Sequence, residues 1–170
     1  MPDIVRHSAC DTHAVESLLD AAFGEDRKHR TAYMLRDGMT AIGALSFGLA
    51  ADAALIGSIQ CWPVEIVGDD DIKAVPLILV GPVAVHPQAQ NKGHGQMLME
   101  AMLKASIAEG NPPLVMIGDA EYYGRFGFSA EQTGGWALPG PYEAHRLLLR
   151  NPAAHRLPSN GKLGPRGQQY

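Results

Sequence analysis

At 170 residues, 46% hydrophobic and 19% charged, the chain is long enough to bury a core without disulfides or a structural metal, so one globular domain is expected. A formal charge of −4 argues against a dedicated nucleic-acid binder, whose footprint would be a basic face. No run of about eighteen apolar residues is present, Met1–Arg6 has neither the apolar core nor the cleavage site of a signal peptide, and Cys10 and Cys61 form no CxxC pair; together these read as a cytoplasmic protein with reduced thiols, no metal and no membrane partner.

In chain order, Asp3–Arg6 reads as a short strand and residues 11–23 as a helix, capped by Asp11 or Thr12, with Val15, Leu18, Leu19 and Ala22 at helical spacing. A weaker polar helix follows over residues 26–36, and Gly38 breaks it. Two strands rich in β-branched and large apolar residues are expected at 41–49 and 55–67, joined by a turn at 50–54. The run Gly68, Asp69, Asp70, Asp71 reads as a solvated hairpin turn rather than a metal site. Val75–Val85 is almost continuously apolar, as a strand covered on both faces must be, but Pro82 within it cannot donate a ladder hydrogen bond. A bulge or a splayed neighbour is therefore expected there.

After residues 86–95 comes a helix to about Glu109, with Leu98, Ala101, Met102, Ala105 and Ala108 on one face, ended by Gly110, Pro112 and Pro113. Leu114–Ile117 reads as a buried strand, residues 120–126 as a short helix and 146–149 as a final strand. Residues 1–150 form the expected domain, and 151–170, rich in Pro, Gly and Asn, an extended tail. This order of elements points to an α+β domain with helices layered on a mixed sheet.

Gln90, Asn91, Lys92, Gly93, His94 and Gly95 follow the buried strand and open a helix. Backbone N–H groups at the positive end of a helix dipole, with glycines removing Cβ atoms in front of them, make a cradle for a pyrophosphate. A Walker loop is excluded, because no Gly-Lys-Ser/Thr follows four residues after a glycine. A Rossmann fingerprint fails as well, with Leu98 at the third glycine position.

The hexapeptide resembles the Gln/Arg-x-x-Gly-x-Gly/Ala loop of the GNAT acetyltransferases, and the preceding Leu79–Pro87 (LVGPVAVHP) resembles that family's central strand. Gly118–Phe128 (GDAEYYGRFGF) is similar to a segment of a bacterial branch in which a tyrosine stands beside the coenzyme A sulfur. The resemblance implies a GNAT-like three-layer α/β/α domain with a mixed, centrally splayed sheet. It further implies an N-acetyltransferase passing the acetyl group of acetyl-CoA directly to a primary amine of a small molecule or peptide, and a homodimer as the family-level expectation. The competing reading is a non-catalytic acyl-CoA-binding or regulatory module.

By this resemblance the backbone of Val83, Ala84 and Val85 binds the pantetheine arm as an added strand, and Gln90, Asn91, Lys92, Gly93, His94 and Gly95 hold the pyrophosphate, His94 being an exposed spacer. Tyr123 is the candidate general acid for the leaving thiolate. Glu65, His86 and Asp119 are weak candidates for the base, each with a structural reading as surface residue, cap or turn former. Cys61 reads as an inert core thiol. Residues 22–37 and 133–145 are the expected acceptor walls, where Trp136 and Tyr142 either line an apolar pocket or cover the core.

Overall fold

The computed structural model describes residues 1–70 and 73–167. Strand β1 (Asp3–Arg6) leads to helix α1 (Thr12–Phe23), where Asp11 accepts a hydrogen bond from the Ala14 N–H at 3.2 Å and Gly24, at φ 91°, ends the helix. The polar stretch expected as one helix divides into a 3₁₀ turn, Arg27–His29, and a short α2 (Thr31–Leu35). Strand β2 (Phe47–Ala51) starts later than its apolar composition suggests, because Gly43–Leu45 forms a 3₁₀ turn. Asp52 and Ala53, both at positive φ, then join it to β3 (Ala54–Gly68), as the tightest hairpins require.

Strand β4 (Ala74–Val85) is followed by α3 (His94–Ala108), β5 (Leu114–Ile117) and α4 (Ala120–Tyr123), which runs on into a 3₁₀ turn at Gly124–Phe126. Asp71, last of the acidic run, lies outside the described residues. β6 (Gly135–Ala137) and β7 (Leu147–Arg150) follow, and β8 (Asn160–Pro165) lies within the stretch expected to be a tail. That segment is extended, but it pairs antiparallel with Val64–Gly68 of β3 and parallel with β6. Its Gly and Pro content hid a strand whose partners, rather than its own propensity, hold it in place.

The chain forms two compact units. The first comprises Met1–His29, Ala41–Cys61 and Gly81–Gly110. Here β1 pairs with β2 and β2 with β3, all antiparallel, and the two faces of this sheet are distinguishable. A Cβ at Gly57 would lie 3.1 Å from Leu98 Cδ1, so α3 covers that face. A Cβ at Gly48 would lie 2.6 Å from Cys10 Sγ and 3.0 Å from Leu55 Cδ1, and both of these residues pack on the α1 cluster of Val15, Leu18, Leu19 and Ala84. The α1 face therefore carries Gly48 and, directly across the ladder, Ser58. On α3 the buried residues are Leu98, Met99, Met102 and Ser106, whereas Ala108 is exposed. The buried stripe is thus rotated from the expected one, because the long Met99 side chain fills space that an alanine face leaves open.

The second unit comprises Arg30–Thr40, Trp62–Val80 and Asn111–Tyr170, of which 168–170 are not described. β5 runs parallel to β4 and antiparallel to β7, so the sheet is mixed as expected. The β4–β5 ladder has two register pairs, Ile78↔Leu114 and Leu79↔Val115, and ends before the cis Gly81–Pro82 bond, close to where Pro82 predicts an interruption. Leu35, Val64, Ile66, Leu77, Leu79, Trp136 and Leu163 share one core. Arg166 tightens the added strand by donating to the backbone carbonyls of Val64, at 3.1 Å, and Leu77.

Candidate functional site

In the first unit, β4 delivers Val83, Ala84 and Val85 to the start of the cradle, and Ala84 packs on α1. His86 accepts from the Gln88 N–H through Nδ1 at 3.2 Å, capping the 3₁₀ turn Pro87–Ala89. Gln90 reaches back with its amide to donate to the Val85 carbonyl at 3.1 Å. Asn91 and Gly93 both adopt positive φ, at 64° and 79°, and this reverses the chain into α3. Gly93 is the N-cap residue, and its carbonyl takes the first helical bond, from Met97 N–H at 3.1 Å. No side chain caps this end, so the first amides of α3 face outward at the positive end of a fifteen-residue helix.

His94 is not the exposed spacer expected: its ring is half-buried and Nδ1 donates to the Ala89 carbonyl at 2.9 Å. Together with Gln90 it closes the loop on itself. The cradle is therefore fixed by two side chains whose contacts are local, while Asn91, Lys92 and Gly93 remain exposed. A Cβ at Gly93 would meet no atom within 4 Å, so it is the backbone conformation, not crowding within the fold, that calls for glycine here.

Tyr123 belongs to the second unit, at the end of α4. Asp119 caps this helix by accepting from the Glu121 N–H at 3.0 Å, the structural reading of that residue. The Tyr123 ring lies against Gly118, where a Cβ would come within 2.8 Å of two ring carbons, and stands edge-on to Tyr122 at 4.9 Å between centroids and to Phe128 at 6.5 Å. Gly118 is thus a positioning residue of the segment, signalled in the sequence only by its place before Asp119. Among the described residues the Tyr123 hydroxyl has no hydrogen-bond partner. Burial, with a smaller contribution from Tyr122, pushes its pKa up to about 12, so it remains a proton donor.

Glu65 is buried in β3 at 7% exposure rather than lying on the surface, and its carboxylate acts electrostatically on Arg166, the residue that follows β8. Cys61 is fully buried and burial pushes its thiol well up, as an inert core thiol requires. Trp136 resolves toward the core: it is 2% exposed, its indole N–H donates to the Pro158 carbonyl at 2.8 Å, and Tyr142 donates to its own carbonyl at 2.6 Å. A cavity of about 660 Å³ in the second unit is bounded by Trp136, Leu149, Asn151, Arg156 and Ser159, outside the motif segments. Among the described residues no cluster of His, Cys, Asp and Glu suits a metal ion, and no helix is long and apolar enough to cross a membrane.

Residues 4–130 match the family model described as an acetyltransferase (GNAT) domain. The uncharacterized N-acetyltransferase YhbS of Escherichia coli K12 is 27% identical over 145 residues, covering 81% of this chain and 82% of that protein. Among solved structures, that of E. coli YhbS in complex with CoA superposes with a TM-score of 0.74 at 20% identity, over 95% of this chain and 88% of the other. A GNAT acetyltransferase from Brucella melitensis in complex with acetyl-CoA gives 0.66 at 24% identity, over 96% and 95%. The fold is the α+β GNAT fold that the motifs imply, and with three-quarters of its length matched by the family model the chain belongs to the GNAT acetyltransferases.

Proposed function

We propose that the protein is an acetyl-CoA-dependent N-acetyltransferase that passes the acetyl group to a primary amine by direct attack in a ternary complex. The observation that carries this is the uncapped N-terminus of α3 behind Gly93, which a 3₁₀ turn and a short loop join to the end of β4. Amides fixed in this way bind a pyrophosphate without reorganising, and the open space at Gly93 fits one. Gln90 to Gly95 hold the diphosphate of coenzyme A, with Lys92 adding charge, and the backbone of Val83, Ala84 and Val85 pairs with the pantetheine arm. Acetyl-CoA supplies an activated thioester.

Tyr123 acts by donating a hydrogen bond to the departing sulfur. Complete proton transfer from a group at about 12 to a thiolate of ordinary pKa near 8.5 is uphill by about 5 kcal/mol, against about 2 kcal/mol for an unperturbed tyrosine. Burial therefore turns this residue from an acid into a dipole that stabilises negative charge, which needs no net proton movement. His86 Nδ1 and Asp119 Oδ1 accept capping bonds, which leaves the second oxygen of Asp119, Glu65 or solvent to take the amine proton.

Calorimetric titration of acetyl-CoA into the wild type and Gly93→Asp tests the reading. The aspartate keeps a helix-capping residue at the position but sets a negative charge in the cradle. Binding to the wild type that is lost in the variant is expected, with thiol release on adding amines. No binding to the wild type overturns the reading, and binding without thiol release over a panel of amines favours the non-catalytic module.

A further inference from the structure

The loop before α3 keeps its shape without using the groups that would bind a diphosphate. From Gln90 to Gln96 no backbone N–H bonds a backbone carbonyl among the described residues, and no side chain caps the helix. A side-chain cap at this end would accept from the amides of the first turn and so compete with an anion for them. The loop nevertheless passes through two left-handed residues, Asn91 at φ 64° and Gly93 at φ 79°, and the first of these carries a Cβ, which disfavours that conformation. Asn91, Lys92 and Gly93 are exposed, so packing does not hold them there.

Two side chains hold the loop from behind. Gln90 Nε2 donates to the Val85 carbonyl at 3.1 Å, and His94 Nδ1 donates to the Ala89 carbonyl at 2.9 Å. Both acceptors precede the loop, so neither bond consumes an amide of the cradle. Ala89 is itself anchored: its N–H bonds the His86 carbonyl at 2.8 Å, and the His86 N–H bonds the Ile56 carbonyl of β3 at 2.8 Å. Through His94 the first residue of α3 is therefore tied back to the sheet. The histidine is the firmer of the two ties, because its ring is half-buried and has fewer torsions to freeze than the exposed Gln90.

We infer that His94 is a positioning residue for the diphosphate of the coenzyme, its ring N–H holding the loop in the shape that leaves the α3 amides facing outward. The inference rests on the acetyl-CoA reading and deepens it. A loop ordered beforehand need not be ordered by the ligand, which raises affinity without a new contact. The gain belongs to the diphosphate and not to the pantetheine arm.

The test measures acetyl-CoA by calorimetry, and acetylpantetheine, which ends before the diphosphate, by displacement of acetyl-CoA, on the wild type, His94→Asn, His94→Gln and His94→Phe. Asparagine sets an amide N–H as far along the side chain as Nδ1 and restores the bond, whereas glutamine carries its amide further out and phenylalanine has no donor. Expected is acetyl-CoA affinity within about twofold of wild type for Asn and roughly three- to tenfold weaker for Gln and Phe, the value of one hydrogen bond, with acetylpantetheine affinity the same throughout. Thermal unfolding identifies a variant that has lost the fold, and if Phe does so the Asn and Gln proteins decide. Gln and Phe proteins that bind acetyl-CoA as tightly as the wild type, an Asn protein as weak as Gln, or equal weakening of acetylpantetheine overturns the inference and leaves the acetyl-CoA reading standing. A wild type that does not bind acetyl-CoA overturns that reading, and the inference with it.

Discussion

Replacing Tyr123 by Phe isolates the hydroxyl from everything else the residue does. The ring keeps its contacts with Gly118, Tyr122 and Phe128, and the hydroxyl has no partner to lose among the described residues, so stability near neutrality should change by less than about 0.5 kcal/mol. If the hydroxyl bonds the developing thiolate, its removal costs about 1.5–3 kcal/mol in the transition state, or roughly 10- to 150-fold in kcat, with little change in acetyl-CoA affinity. Steady-state thiol release across pH reads both quantities. With the folded pKa raised to about 12, the hydroxyl stays protonated well past pH 10, so no basic limb near pH 10 should be traceable to Tyr123. The same shift has a stability consequence with a definite sign. A folded pKa above the unfolded value near 10 leaves stability intact below pH 10 and removes it as pH rises toward 12, by about 2–3 kcal/mol, so Tyr123→Phe should resist alkaline unfolding better than the wild type. A Phe variant within about twofold of wild-type kcat, or one that loses a basic limb near pH 10, refutes the hydrogen-bond role.

Gly118→Ala sets a Cβ 2.8 Å from two Tyr123 ring carbons; a loss of about 1–3 kcal/mol in urea unfolding, with a drop in kcat from the displaced ring, is expected. Arg27 is 2% exposed and paired with Glu16 and with Asp20, at 2.9 Å, so Arg27→Met should lower stability by about 2–3 kcal/mol and loosen the turn after α1, read by hydrogen exchange. Gly161→Ala sets a Cβ 2.5 Å from the Val67 carbonyl oxygen, so it should weaken the β3–β8 ladder by about 2 kcal/mol or more and raise exchange at Val64–Gly68. Trp136→Phe deletes the bond to the Pro158 carbonyl and should cost about 1–2 kcal/mol in thermal unfolding.

What the sequence disclosed followed from local physics. Helix α1 was legible because its cap and its 3.6-residue stripe lie within one short window, and β5 because four apolar residues lie between Pro113 and Gly118. The turn into α3 was legible for the same reason, since a glycine at positive φ before a helix leaves a mark in the sequence. The strands β6 and β8 carried no such mark: Asn160–Pro165 reads NGKLGP and is made a strand by β3 and β6. The local bonds of His94 and Gln90, the burial of Glu65 and the rotated face of α3 likewise depend on what packs nearby, which spacing alone does not encode.

The C-terminal strand bears on how the protein can be cut. The family match stops at residue 130 and the last strand foreseen from sequence at 149, so a chain shortened after Arg150 would look whole by either criterion. It would nevertheless leave β6 without its sheet neighbour, remove the Pro158 carbonyl that holds the Trp136 indole, and bare the backbone of Val64–Gly68 as an open edge. An edge of that kind recruits other chains, so such a fragment should be recovered as aggregate rather than as a smaller enzyme.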